Sequence, residues 1–335
     1  MKCNNLIICQ QINKNVMKKL TGFLLAVFMA FSIASGQERN DVIKVYNEGA
    51  KLLQTDVQGA ITAFENVVTL SEQVGESAND LKSKATQVLP GLYVRLANNA
   101  MKENKSAAEI IKAAKLASDV SEKYDNETGK NNASIILVQG YNKMGTELFT
   151  DKDYDNALLA FDSLLVINPD YSNAIFNKAL IYRAQNNNAA FEESIDLFLG
   201  KLEAGKDDQA IKQASTLALE YFRAAGSQAN QADNTEEALE LLNKAAKYGE
   251  DKDLYYYFAD VYNKKKSFDS GIEYAQKGLA LETGEAEAKA KFYFQLGLGQ
   301  EGKGQTAEAC TSFKNAMFGP FAEPSKAKRT NLKCQ

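Results

Sequence analysis

The 335-residue chain contains no histidine and no tryptophan, and only 4 prolines and 4 cysteines. Without histidine there is no Ser-His-Asp or Cys-His nucleophile and no imidazole to ligate a metal. The cysteines are too few and too far apart for a metal knuckle or a CxxC redox pair. No basic block, phosphate loop or dinucleotide fingerprint occurs, so neither nucleic acid nor a nucleotide cofactor is expected, and no cofactor of any kind is implied. The acidic neighbours Glu236-Glu237 and Asp207-Asp208 do not face one another on a helix, so they read as helix caps rather than an acid-base pair. With 45% apolar and 24% charged residues, the composition is that of a globular protein with one elongated domain or two compact ones.

Residues 18–36, KKLTGFLLAVFMAFSIASG, carry two lysines, a short apolar run and a small-residue end. This is the layout of a secretory signal peptide, with cleavage expected after Gly36 and the translational start at Met17. Residues 1–36 are therefore read as an upstream extension plus a cleaved signal, and the expected location is secreted or periplasmic, in the cell envelope. The run is too short to span a bilayer and no second one follows, so no integral membrane span is expected after cleavage. Removal of this segment takes away Lys2, Lys14, Lys18 and Lys19 and no acidic residue, leaving 35 basic against 43 acidic residues, a net charge of −8. Cys3 and Cys9 leave with it; Cys310 and Cys334 either pair, pinning the C-terminus to the last helix, or remain two free thiols.

One pattern recurs down the rest of the chain. Relative to Gly145, Tyr141 lies four before, Met144 one before, Leu148 three after, Tyr154 nine after, Ala157 twelve after, Phe161 sixteen after and Leu164 nineteen after, with Pro169 closing the unit. The same offsets from Ala259 give Tyr255, Phe258, Tyr262, Phe268, Gly271, Ala275 and Gly278; from Gly297 they give Tyr293, Leu296, Ala309, Phe313 and Ala316. Gly49 starts a unit with Ala60, Phe64 and Val67 after a turn one residue shorter. Ala179 starts one with Ile175 and Tyr182, and with Ser194 and Phe198 after a loop three residues longer. Weaker units centre on Ala97, leading to Ala107, Ile111 and Ala114, and on Ala218, leading to Ala238, Leu242 and Ala245 across SQANQADNT, read as a polar loop. In GLGQEGKGQ (297–305), Gly297 is the small residue and the other glycines are read as the turn.

Apolar residues three and four apart give one stripe per helix, small residues allow close axes, and polar turns such as TDKD (150–153) separate paired helices. Strand signals are almost absent, so the chain reads as all-α, and hairpins that cannot bury both faces alone must stack.

The arrangement Tyr141-x-x-Met144-Gly145-x-x-Leu148, then Tyr154, Ala157, Phe161, Leu164 and Pro169, with a thirty-four-residue step to Ala179, resembles the tetratricopeptide repeat (TPR). The resemblance covers most of residues 42–323, with 324–335 left as a polar tail, and Tyr stands where the family often has Trp. It implies a right-handed α-solenoid of about seven helix-turn-helix repeats whose first helices line a concave groove that binds a protein or peptide. On that pattern the groove residues are Asn142, Thr146, Phe149, Phe176, Leu180, Arg183, Tyr256, Asp260, Asn263 and Phe294, joined by Asn173, Asp253, Leu298 and Glu301. The rings Phe176, Tyr256 and Phe294 share one offset, where they either face a partner or pack against the adjacent hairpin. A non-catalytic interaction scaffold of the periplasm or cell envelope is the reading these features favour. The alternatives are a helical glycan-binding protein or glycosidase, and a self-assembling structural element.

Overall fold

A computed structural model describes residues 39–205 and 207–335. The expected signal segment lies outside these residues. Fifteen α-helices occur among them: α1 (Arg39–Leu52), α2 (Val57–Val74), α3 (Asn79–Lys102), α4 (Ala107–Lys123), α5 (Glu127–Thr150), α6 (Tyr154–Ile167), α7 (Ser172–Ala184), α8 (Asn188–Gly205), α9 (Asp208–Gln231), α10 (Thr235–Tyr248), α11 (Lys252–Lys264), α12 (Phe268–Leu281), α13 (Ala286–Gly302), α14 (Thr306–Asn315) and α15 (Ala322–Asn331). The first fourteen follow one another as seven helix-turn-helix units, and no strand occurs among the described residues. None of these helices is long and apolar enough to cross a membrane.

The chain divides into two compact units. The first comprises residues up to Asn99 together with Leu116–Asn132, and the second comprises Ala100–Lys115 and Ala133–Gln335. In the first, Gly49 of α1 sits over the Phe64 ring of α2, where an added Cβ would lie 3.2 Å from a ring carbon, and Tyr46 meets the same ring edge-on at 5.5 Å. Arg39 forks onto Asp80 at 2.8 and 3.0 Å.

The second unit contains five hairpins built to one plan. Each first helix carries a small residue at its crossing: Gly145, Ala179, Gly226, Ala259 and Gly297. Sixteen residues on, the second helix supplies the side chain that faces it: Phe161, Ile195, Leu242, Ala275 and Phe313, every one of them fully or almost fully buried. A Cβ added at Gly145 would stand 2.7 Å from the Phe161 ring, at Gly297 2.8 Å from the Phe313 ring and at Gly226 2.8 Å from Leu242. Where the crossing residue is alanine the opposing side chain is not a ring: Ala179 is matched with Ile195 and Ala259 with Ala275. Rings are thus met only where the crossing residue is glycine, which leaves them the space an added Cβ would take.

The turns repeat as faithfully. Seven residues after each small residue the backbone turns left-handed, at Lys152 (φ 62), Asn186 (φ 55), Asp233 (φ 59), Lys266 (φ 58) and Gly304 (φ 76). The amide after it reaches back over the helix end, Asp153 to Leu148, Asn187 to Tyr182, Asn234 to Ala229, Ser267 to Tyr262 and Gln305 to Gln300, all at 2.8–2.9 Å. This is the Schellman closure, which satisfies carbonyls that the helix end leaves free.

Three expectations are corrected by this register. SQANQADNT is not a loop: α9 runs through Ser227, Ala229 and Asn230 to Gln231, and its small residue is Gly226 rather than Ala218, eight residues earlier. The hairpin at Ala179 has no longer turn; α8 begins at Asn188, and Phe191 and Ile195, both 0% exposed, fill the positions assigned to Ser194 and Phe198. Gly299 and Gly302 belong to α13, not to the turn. They let it approach α12 and the turn before it, since a Cβ on Gly302 would meet the Phe268 ring at 2.3 Å and one on Gly299 would meet Ile272 at 2.7 Å. The polar end of the chain is also ordered as α15, which packs on α14.

Gly145→Ala is expected to destabilise the α5–α6 hairpin by about 1–3 kcal/mol through overpacking, despite alanine's better helix propensity. Gly200→Ala, at an exposed position of α8 with nothing within 4 Å of an added Cβ, is expected to stabilise by about 0.5–1 kcal/mol. Native-state hydrogen exchange across each hairpin reads both.

Candidate partner-binding face

Counting from the five small residues, positions three before, one after and four after fall on one face of each first helix. In the second unit they read Asn142, Thr146, Phe149 on α5; Phe176, Leu180, Arg183 on α7; Arg223, Ser227, Asn230 on α9; Tyr256, Asp260, Asn263 on α11; and Phe294, Leu298, Glu301 on α13. The triad on α9 is not among the residues expected from the sequence, because the small residue of that helix is Gly226, eight residues after Ala218. With Gly226 as its reference the same offsets find it.

These residues divide by environment. Thr146 is exposed and its hydroxyl donates to the Asn142 carbonyl at 2.8 Å, while Leu180 and Arg183 are half-exposed. Phe149 lies half-buried 6.0 Å from the Tyr154 ring, and Asn142 has its Oδ1 buried without a hydrogen bond. The three rings at the shared offset are bedded in the wall: Phe176 on Phe198 at 4.7 Å, Tyr256 edge-on to Phe292 at 6.2 Å, and Phe294 between Phe313 at 5.7 Å and Phe321 at 5.4 Å. Among these ring contacts only that of Tyr256, with Phe292 of α13, reaches the adjacent hairpin; Phe176 meets a ring of its own hairpin, and all three stay half-exposed. Asn173 is exposed and Asp253 accepts from Lys291 at 2.5 Å.

From α9 to α13 the face is tied by side-chain hydrogen bonds, for α9 lies beside α11 and α11 beside α13. Asp260 accepts from the Asn230 amide at one oxygen and from the Gln295 amide, at 2.9 Å, at the other. Asn263 donates to both oxygens of Gln295, backbone at 2.9 Å and side chain at 3.0 Å. Lys264 caps the Asn230 carbonyl at 2.7 Å. Gln295 and Asn230 are 3% and 2% exposed, and no pattern of apolar spacing marks either. Asn263, expected to meet a partner, is only 8% exposed; its Oδ1 is wedged where a Cβ on Gly271 would come within 2.1 Å and one on Gly299 within 3.1 Å. It therefore clamps two hairpins together. Arg223 pairs with Asp251 at the start of α11.

A cleft of about 340 Å³ opens on this face between α11 and α13, lined by Asp260, Lys264, Phe268, Leu298, Glu301 and Lys328. A larger one of about 780 Å³ lies between the α7–α8 turn and α9, with Arg183, Asn186 and Asn188 on one side and Tyr221, Ala225 and Gln228 on the other. It exists because α9 presents Ala225, Ala229 and Ala232 at offsets where α11 presents Phe258, Tyr262 and Lys265. No cluster of potential metal ligands occurs among the described residues. Cys310 and Cys334, left open as pair or thiols by the sequence, are joined in a disulfide with Cα atoms 5.6 Å apart.

Burial pushes the Tyr256 phenol up from its ordinary 10.0 to about 12, the nearby Asp260 carboxylate adding to the shift and a hydrogen bond from Gln295 opposing it. A phenol that keeps its proton longer when folded makes the unfolded chain ionise first. Stability is therefore expected to hold below about pH 10 and to fall as pH rises towards about 12. Tyr256→Phe should flatten part of that fall, as urea midpoints across the range would show.

No family model matches the chain, and no curated protein does. Among solved structures, the MamA protein is 23% identical over 59% of this chain and 97% of its own, with a TM-score of 0.34. YrrB, described as a TPR protein with an unusual peptide-binding site, is 16% identical over 58% of this chain and 92% of its own, at 0.34. A tetratricopeptide repeat protein from Parabacteroides merdae is 16% identical over 88% of this chain and 99% of its own, at 0.28. At such TM-scores these likenesses add nothing to what the hairpins themselves display. By its repeated offsets, its close crossings at small residues and its recurring left-handed turn, the second unit is an array of repeated helical hairpins, and those offsets resemble the tetratricopeptide repeat.

Proposed function

We propose that the protein is a non-catalytic scaffold of the periplasm or cell envelope that holds a protein or peptide segment along the first-helix face of its second unit. The observation that carries this reading is the row itself: three offsets, repeated over five hairpins, that present half-exposed rings, Leu180 and Leu298 beside fixed polar groups of both charges. Such a mixture suits a polypeptide, whose side chains need apolar seats and whose backbone needs donors and acceptors. Asp260, Gln295 and Asn230 are already locked to one another, so little side-chain freedom is lost when a partner docks. The compartment is supported by the layout of residues 18–36 and by the Cys310–Cys334 bond, since disulfides persist where thiols are not kept reduced. Against self-assembly stands α15, a polar helix laid over the last hairpin where a further repeat would stack.

The test is site-specific photocrosslinking in cells. A crosslinker at Leu180 or Leu298 is expected to capture one and the same partner, while one at Leu197 or Leu159, which are 52% and 62% exposed on second helices, captures none. Capture from the second helices alone would move the interaction to the opposite face and sink this reading.

A further inference from the structure

The end of the chain lies on the same face. After Phe318 a single 3-10 turn, Gly319–Phe321, leads into α15, and three contacts fix the segment to the last hairpin. Phe321 covers Phe294, Lys328 donates to Glu301 at 2.6 Å, and the Arg329 guanidinium donates to the carbonyls of Cys310 and Gln335. Two of the three α13 positions in that row, Phe294 and Glu301, are thus occupied by the C-terminal segment, and Lys328 forms one wall of the 340 Å³ cleft.

What holds this segment differs in kind from what holds the hairpins. The α15 sequence, AEPSKAKRTN, buries only Ser325, whose hydroxyl has no partner. Ten residues are too few for an independently stable helix in water. The Lys328–Glu301 pair remains 34% and 26% exposed, so water and salt weaken it. One aromatic contact, the Arg329 hydrogen bond to the Cys310 carbonyl and the covalent bond from Cys310 to Cys334, 24 residues apart, carry the rest.

We propose that residues 319–335 form a lid over the α13 end of the face, latched by the Cys310–Cys334 disulfide and opened by thiol–disulfide exchange with a protein dithiol. Cys310 and Cys334 are both half-exposed, so the bond can be reached from solvent, and attack at Cys334 is one of the two courses open. A thiolate of the dithiol attacks the Cys334 sulfur, forming a mixed disulfide and expelling Cys310 as a thiolate that takes up a proton. The second thiol of the dithiol then loses its proton, attacks its neighbouring sulfur and releases Cys334. Two electrons and two protons pass to the chain, and the dithiol ends as a disulfide. With the covalent tie gone, the segment leaves and uncovers Phe294 and Glu301. The latch is independent of what, if anything, the face binds.

Hydrogen exchange read by mass spectrometry tests it on the full chain in three forms: oxidised, reduced with dithiothreitol, and carrying Cys310→Ser with Cys334→Ser. In the oxidised form the amides of 322–331 are expected to be protected. In the other two they are expected to exchange at least about ten-fold faster, while α11, α12 and the core of α13 keep their protection, and reoxidation of the reduced chain restores the lid. If α15 stays protected within about two-fold after the bond is cut, the helix holds itself and the bond is no latch. If protection is lost through α13 and α14 as well, the bond supports the hairpin itself and the lid is equally refuted.

Discussion

The close approach of paired helices at one small residue is the constraint on which the second unit rests. In the second unit a ring stands only opposite a glycine: Gly145 faces Phe161 and Gly297 faces Phe313, while Gly226 faces Leu242, Ala179 faces Ile195 and Ala259 faces Ala275. Burying a phenylalanine contributes roughly 1.5–3 kcal/mol, which more than offsets the approximately 1 kcal/mol that a glycine costs inside a helix. Once the crossing is set, the helix end follows seven residues later and the left-handed turn sends the second helix back along the first. Four of those five turn residues are not glycine, so the closure is held by its hydrogen bonds rather than by chain flexibility.

Fixing the crossings also fixes what the first helices present. Three offsets in each helix fall on one flank beside the crossing, and between α9 and α13 residues of that flank interlock through Asn230, Asp260, Gln295 and Asn263. Some positions that pattern alone would hand to a partner are therefore structural. Asn263 is the plainest example, filling the niche left by Gly271 and Gly299. Others, such as Leu180, Arg183 and Leu298, stay available at the surface. The same logic makes the end of the repeat special: α13 has no following hairpin, and the chain supplies α15 and Phe321 in its place.

Sequence periodicity sufficed for four of the hairpins. The hairpins at Gly49, Gly145, Ala259 and Gly297 lie where their offsets place them, with Phe64, Phe161, Ala275 and Phe313 at the crossings. It failed at α9 for a physical reason. There the residues turned inward include Ser227 and Asn230, 6% and 2% exposed, so a helix buried on a polar face imitates a loop. At Ala179 the error was one of register: Ser194 and Phe198 satisfied a small-then-large pattern that Phe191 and Ile195 satisfy in space. The hydrogen-bonded chain across the face was not legible at all, because its members stand 30 or more residues apart and belong to different hairpins.

The most direct measurement is a double-mutant cycle at the α9–α10 crossing, pairing Gly226→Ala with Leu242→Ala and reading stability by native-state hydrogen exchange across that hairpin. If volume exchange at the crossing governs the hairpin, the added methyl costs far less once Leu242 is shortened, and the cycle shows a coupling of about 1–2 kcal/mol. Additive effects within about 0.5 kcal/mol would mean that the two residues do not share one space, and the account of the repeat would fail with them.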